Sequence, residues 1–115
     1  MAKLIEDIKK DILGKEYELS CVFESKNKIR ELNRNYRGKN EPTDILSFFL
    51  SKNSGEIFIC REIAKLKSKS FNMSATKYLI FLVIHGMLHL KGLAHGAKME
   101  RYERAYYNRY RHRHL

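Results

Sequence analysis

Apolar positions recur at helical spacing over residues 3–13, where Leu4, Ile5, Ile8, Ile12 and Leu13 form one stripe and Gly14 follows as a stop. From Tyr17 to Glu24 the pattern changes to alternation, with Tyr17, Leu19, Cys21 and Phe23 on one side, which predicts a strand. Ser25 is placed to cap a short helix of about 26–36 whose stripe is Ile29, Leu32 and Tyr36. Gly38 to Pro42 reads as a polar turn and Thr43 to Leu50 as a largely buried strand. Ser51 to Gly55 is then a hairpin loop, and Glu56 to Cys60 its return strand. A short Lys-rich helix follows over 61–69. Ser74 caps a long helix ending near Leu90–Lys91, with Gly92 as the residue that turns the chain away. The last helix, about 98–110, is crowded with arginine and tyrosine.

This succession is an α+β pattern within a single domain over 1–115, with a basic C-terminal helix and tail from about 98. Three strand candidates make a small mixed sheet, with room for a fourth in segments assigned otherwise. The stretch Tyr78–Leu90 has no Asp, Glu, Lys or Arg and is apolar on nearly every face, so it belongs at the centre of the fold. It is too short to span a bilayer, which takes about 20 residues.

Charge narrows the class of partner. Lysines and arginines number 23 against 13 acids, a net +10 on 115 residues, which favours a polyanion. That balance alone does not choose among RNA, DNA and an acidic membrane surface. The two cysteines, Cys21 and Cys60, lie in strand-like apolar stretches without metal-ligand spacing and read as buried, inert thiols. The N-terminal segment meets an acid at Glu6 and lacks the apolar block of a signal peptide. A reduced, cytoplasmic protein is expected, assumed monomeric.

Three of the five histidines fall within eleven residues, His85-Gly-Met-Leu-His89-Leu-Lys-Gly92-Leu-Ala-His95. On a helix, positions i and i+4 point the same way with Cβ atoms about 6 Å apart, so His85 and His89 can meet one metal ion. Gly92 lets the chain leave through a left-handed turn, after which His95 can close a third corner. Three neutral nitrogens with an open fourth position describe a catalytic site for one divalent transition metal better than a closed structural one. Three imidazoles suit zinc, nickel, copper and iron; zinc is the expected occupant. The same spacing occurs in metzincin proteases, but their glutamate is replaced here by Gly86, which removes the base that peptide hydrolysis uses.

The segment HGMLHLKGLAH resembles the H-G-x-L-H-L-x-G-Y-D-H pattern of the YbeY family of bacterial metal-dependent endoribonucleases. Leu32-Asn33-Arg34-Asn35-Tyr36-Arg37-Gly38 through Pro42-Thr43-Asp44-Ile45-Leu46-Ser47-Phe48 is similar to that family's L-N-x-x-Y-R-x…P-T-D-V-L-S-F. Gly55-Glu56-Ile57-Phe58-Ile59 is similar to its G-D-I-x-I, so the resemblance runs in order from about Leu32 to His95. Departures are Leu93 and Ala94 for Tyr-Asp, Glu56 for aspartate, Phe49 for proline, and a basic rather than acidic segment after His95.

The resemblance implies a single-strand-specific endoribonuclease in ribosomal RNA maturation and ribosome quality control, with RNA and ribosomal subunits as partners. It implies His85, His89 and His95 as metal ligands, with His85 and Arg37 at the reacting centre and Arg37 engaging RNA. An arginine suits that task, because its planar fork of donors matches a phosphate. Asp44 is expected to cap, to hold its loop, or to bind a ligand histidine's second nitrogen. Ser47 is expected to face the groove without a base to make it a nucleophile. In the tail, Tyr102, Tyr106 and Tyr110 form an i,i+4 stripe expected mainly to pack. The five arginines from Arg101 onwards are expected mainly to supply non-specific, salt-sensitive RNA affinity, and the Arg111–Leu115 end to fray. The alternative function is an RNA- or ribosome-binding protein whose metal is structural.

Overall fold

A computed structural model describes residues 1–113, so the expected fraying falls partly, at 114–115, outside the described residues. The elements follow in the order α1 (Ala2–Ile12), β1 (Glu18–Phe23), α2 (Lys26–Arg37), β2 (Ile45–Ser51), β3 (Ser54–Ile59), α3 (Arg61–Ser70), α4 (Ala75–Leu90) and α5 (Ala97–Tyr110). The caps are those the sequence offers. Ser25 Oγ accepts from the Lys28 amide and Ser74 Oγ from the Lys77 amide, both at 3.2 Å, each satisfying an otherwise unpaired N–H at a helix start.

The three strands lie in the order β1-β3-β2, with β1 parallel to β3 and β2 antiparallel to it. The hairpin is tighter than expected. Strand β3 begins at Ser54 and only Lys52 and Asn53 form the turn, the extra residue being absorbed by a register shift between Phe49 and Ser51. The fourth strand is absent among the described residues.

Period-two alternation gives the sheet two different faces. Ile45, Ser47, Ile57 and Ile59 turn towards α4, whose Ile80, Val83, Ile84, Met87 and Leu88 are completely buried. Each such side chain contributes about 1.5–3 kcal/mol on leaving water, which is why the segment without charges forms the centre. Leu46, Phe48 and Phe58 turn the other way and join Ile29 and Leu32 of α2 in a smaller cluster. Among the described residues no single helix is long and apolar enough to cross a membrane.

Helix α5 packs on α4 and reaches back to α1. Tyr110 is buried and donates to Asp11 Oδ2 at 2.8 Å; Arg109 also binds Asp11, and Arg113 binds Asp7 Oδ2 at 2.9 Å. The tail therefore differs from expectation in two respects. Tyr102 is exposed rather than packed, because it lies on the solvent side of α5. Arg109 and Arg113 are ion-paired to α1 rather than free for nucleic acid. Cys60 is fully buried and Cys21 half-buried, both unpaired, and burial pushes the Cys21 thiol up to about 11.

Candidate metal centre

His85 and His89 stand one turn apart near the C-terminal end of α4. The helix ends at Leu90, and Gly92 at φ +103° reverses the chain, with the Leu93 amide donating back to Leu88 O at 3.1 Å. This return carries His95 against the other two. One ring nitrogen from each of the three lies within 4.8 Å of the others, and the His95 ring centroid is 5.3 Å from His85 and 4.7 Å from His89.

The hydrogen bonds around the rings decide which nitrogens face inward. His85 Nδ1 lies 3.2 Å from Glu103 Oε2, and His89 Nδ1 lies 3.1 Å from Leu93 O. Both partners are acceptors, so each Nδ1 carries the proton and each Nε2 is left with a lone pair. Those two Nε2 atoms face one another at 3.1 Å. Two lone pairs at that separation repel, and a shared cation removes the conflict. Bonds of about 2.0–2.1 Å to a tetrahedral ion would set two nitrogens roughly 3.3 Å apart, so the donor set fits a metal. Burial first, then the neighbouring His85 and His95, holds His89 below its ordinary pKa, which keeps its lone pair available at neutral pH.

Gly86 explains the missing protease glutamate. A Cβ there would meet Ile45 Cδ1 at 2.9 Å, Ser47 Oγ at 3.0 Å and Ile57 Cδ1 at 3.1 Å. The position faces the sheet, and any side chain there would have to displace these neighbours.

The three histidines open into a cleft of about 510 Å³ shared with Arg37, Thr43, Asp44, Ile45 and Ser47. Arg37 ends α2, and its guanidinium crosses the edge of the sheet to donate to Ser47 O at 2.9 Å while lying 5.5 Å from the Phe48 ring centroid. Ser47 faces the cleft as expected, with its hydroxyl 3.5 Å from Gly86 O. Asp44 lines the cleft but binds no ligand histidine. Its carboxylate accepts from Tyr78 at 2.7 Å and from Thr43 at 3.3 Å, and pairs with Lys67 at 3.5 Å. Of the three roles open to it, holding its loop against α4 is the one observed.

The residue that sequence reasoning missed is Glu103. It is 9% exposed and comes from α5, eighteen positions after the histidine it touches. The available signal was that it is the one acid in the Arg-rich segment from Arg101 onwards. A lone carboxylate among cations is more easily dismissed as solvated than placed.

A family model described as Endoribonuclease YbeY matches residues 1–111. An Endoribonuclease YbeY of Thermotoga neapolitana is 43% identical over 94 residues, covering 81% of this chain and 62% of the relative. One from Thermosipho melanesiensis is 31% identical over 116 residues, covering 94% and 84% respectively. A solution structure of a Thermotoga maritima protein superposes with a TM-score of 0.66 at 32% identity, covering 93% of this chain and 81% of that one. The chain thus spans from under two-thirds to more than four-fifths of the length of these relatives.

Proposed function

Because the chain belongs to the YbeY endoribonuclease family, we propose that it cleaves single-stranded RNA at the histidine cleft, in ribosomal RNA maturation and ribosome quality control. The observation that carries this reading is the pair of opposed Nε2 lone pairs, closed by a third histidine, beside an arginine paired with no carboxylate among the described residues. His85, His89 and His95 hold one zinc ion in this reading. The ion, when bound, polarises a phosphoryl oxygen and acidifies water.

The chain's own groups do the rest. Glu103 and Leu93 O hold His85 and His89 in the tautomers that turn Nε2 inward. Arg37 spends one donor on Ser47 O and keeps the rest of its fork for a phosphate, which it positions beside the histidines. His85 takes part in catalysis as a ligand, since its Nδ1 is committed to Glu103. The net +10 draws the polyanion in, and we place the protein as a monomer in the cytoplasm, a setting that suits two unpaired cysteines.

The test is cleavage of a single-stranded, ribosome-derived RNA with and without a chelator and zinc add-back. Cuts should be lost with chelator, restored by zinc, and absent from a folded His89→Ala protein that still binds RNA. Products ending in a cyclic phosphate would identify the RNA 2′-hydroxyl as the nucleophile. A folded, zinc-loaded protein that binds RNA without cutting it would overturn the catalytic reading. In that case Ala94, where the family carries an aspartate, is the first residue to restore.

A further inference from the structure

On the face of the sheet opposite α4, a groove of about 500 Å³ runs between α2 and the β2 edge. Its walls are aromatic. Tyr36 lies 5.3 Å from Phe48 and Phe48 lies 5.8 Å from Phe58, measured between ring centroids, with Phe49 at the rim. Tyr36 is 70% exposed and Phe49 66%, so the groove presents a contiguous aromatic surface to solvent. The two charged groups in the groove are Lys28 and Glu56.

We propose that this groove is a stacking subsite for unpaired bases of the same RNA strand that enters the histidine cleft; the inference rests on the ribonuclease reading above. Arg37 supplies the connection. Its guanidinium lines the histidine cleft and also lies over the Phe48 ring, so it marks the point where the two concavities meet across the edge of β2. Strand β2 is an outer strand of the sheet, with no further strand beyond it among the described residues. A phosphate on Arg37 has the histidines on one side and the aromatic rings on the other.

Charge fixes the orientation. Glu56 inside the groove repels phosphate, whereas Lys28 and Arg37 attract it, so the backbone stays at the mouth and the bases turn inward. Aromatic faces accept any base, which gives affinity for unpaired strands with little sequence preference. A duplex offers no free base faces and gains nothing from the groove, so the groove also selects single strands.

The experiment is fluorescence anisotropy of a labelled single-stranded RNA on the metal-free protein, in chelator so that no cutting occurs. A matched strand carrying abasic positions is measured beside it. Wild type should prefer the base-bearing strand. Tyr36→Leu should weaken binding roughly 5- to 150-fold, the span expected for one lost stack, and should reduce the preference over the abasic strand by the same factor. Tyr36→Trp should restore both. Tyr36 is mostly exposed, so the variants should keep the wild-type thermal midpoint. Equal binding of both strands by wild type, or wild-type affinity in folded Tyr36→Leu, would overturn the subsite. A change in sedimentation of Tyr36→Leu without a change in RNA affinity would assign the groove to a second copy of the chain instead. Wild-type cleavage is scored in parallel. Cleavage with an unchanged KM in Tyr36→Leu rejects the subsite alone, whereas failure of wild type to bind or cut RNA rejects the ribonuclease reading as well.

Discussion

Removing the Glu103 carboxylate tests how the histidine cluster is held ready. The carboxylate receives the His85 Nδ1 proton at 3.2 Å in a place where Glu103 is 9% exposed. Without it, Nδ1 loses the one hydrogen-bond acceptor it has among the described residues. The proton then favours Nε2, where the lone pair of His89 Nε2 waits 3.1 Å away. An imidazole–imidazole hydrogen bond forms across the site, and a metal must displace a proton before it can bind. Loss of such a partner costs about 10- to 100-fold in metal affinity, or about 1.4–2.7 kcal/mol. Zinc affinity measured by competition with a chromophoric chelator should show that loss in Glu103→Ala. Glu103→Gln keeps an acceptor oxygen without the charge and should recover part of it. Melting of the metal-free protein checks that α5 stays docked. A folded Glu103→Ala protein with wild-type zinc affinity would refute the reasoning.

Two further outcomes follow from packing and from burial. Gly86→Ala adds a methyl group within 2.9–3.1 Å of three side-chain atoms; overpacking of about 1–3 kcal/mol should outweigh the roughly 1 kcal/mol gained in helix propensity. A lowered urea midpoint is expected, and a raised one would show that α4 sits further from the sheet. Stability should also fall at alkaline pH. Burial pushes Cys21 up to about 11 from 9.0, and burial followed by the Asp11 contact pushes Tyr110 up to about 12 from 10.0. Tyr17, Tyr78 and Tyr106 are raised as well. The unfolded chain releases these protons first, so the stability present below about pH 9 is lost as pH rises through 9 to 12. Urea midpoints at pH 8 and pH 10.5 measure it; equal values would contradict it.

The parts of this molecule readable from its sequence are those set by nearby residues. Helix α4 announces itself by thirteen positions without charge, and the i,i+4 histidines with Gly92 behind them specify a shared corner through helix geometry alone. The β2–β3 hairpin follows from alternation around a polar turn. Pairings between distant segments are not legible in this way. Nothing in the β1 pattern names β3 as its parallel partner, because alternation sets a face and not a neighbour. Arg109 and Arg113 look like free cations until α1 presents Asp11 and Asp7, 98 and 106 positions earlier. Glu103 escapes notice for the same reason, and Asp44 could be assigned to its loop only once Tyr78 was seen to donate to it.

The strapping of α5 onto α1 bears on when the site comes into being. A chain made from its N-terminus presents α1 first, while His95 and Glu103 emerge only after α1 to α4. His85 Nδ1 gains its Glu103 partner only once α5 lies against α4. The opposed lone pairs of the candidate metal centre are therefore set only after α5 is in place. A nascent or partly folded copy can carry the positive charge of Lys28 and Arg37 without yet carrying the assembled histidine cluster. Closing so long a loop is also slow relative to forming the local helices. The order of assembly places the positive surface ahead of the completed histidine cluster.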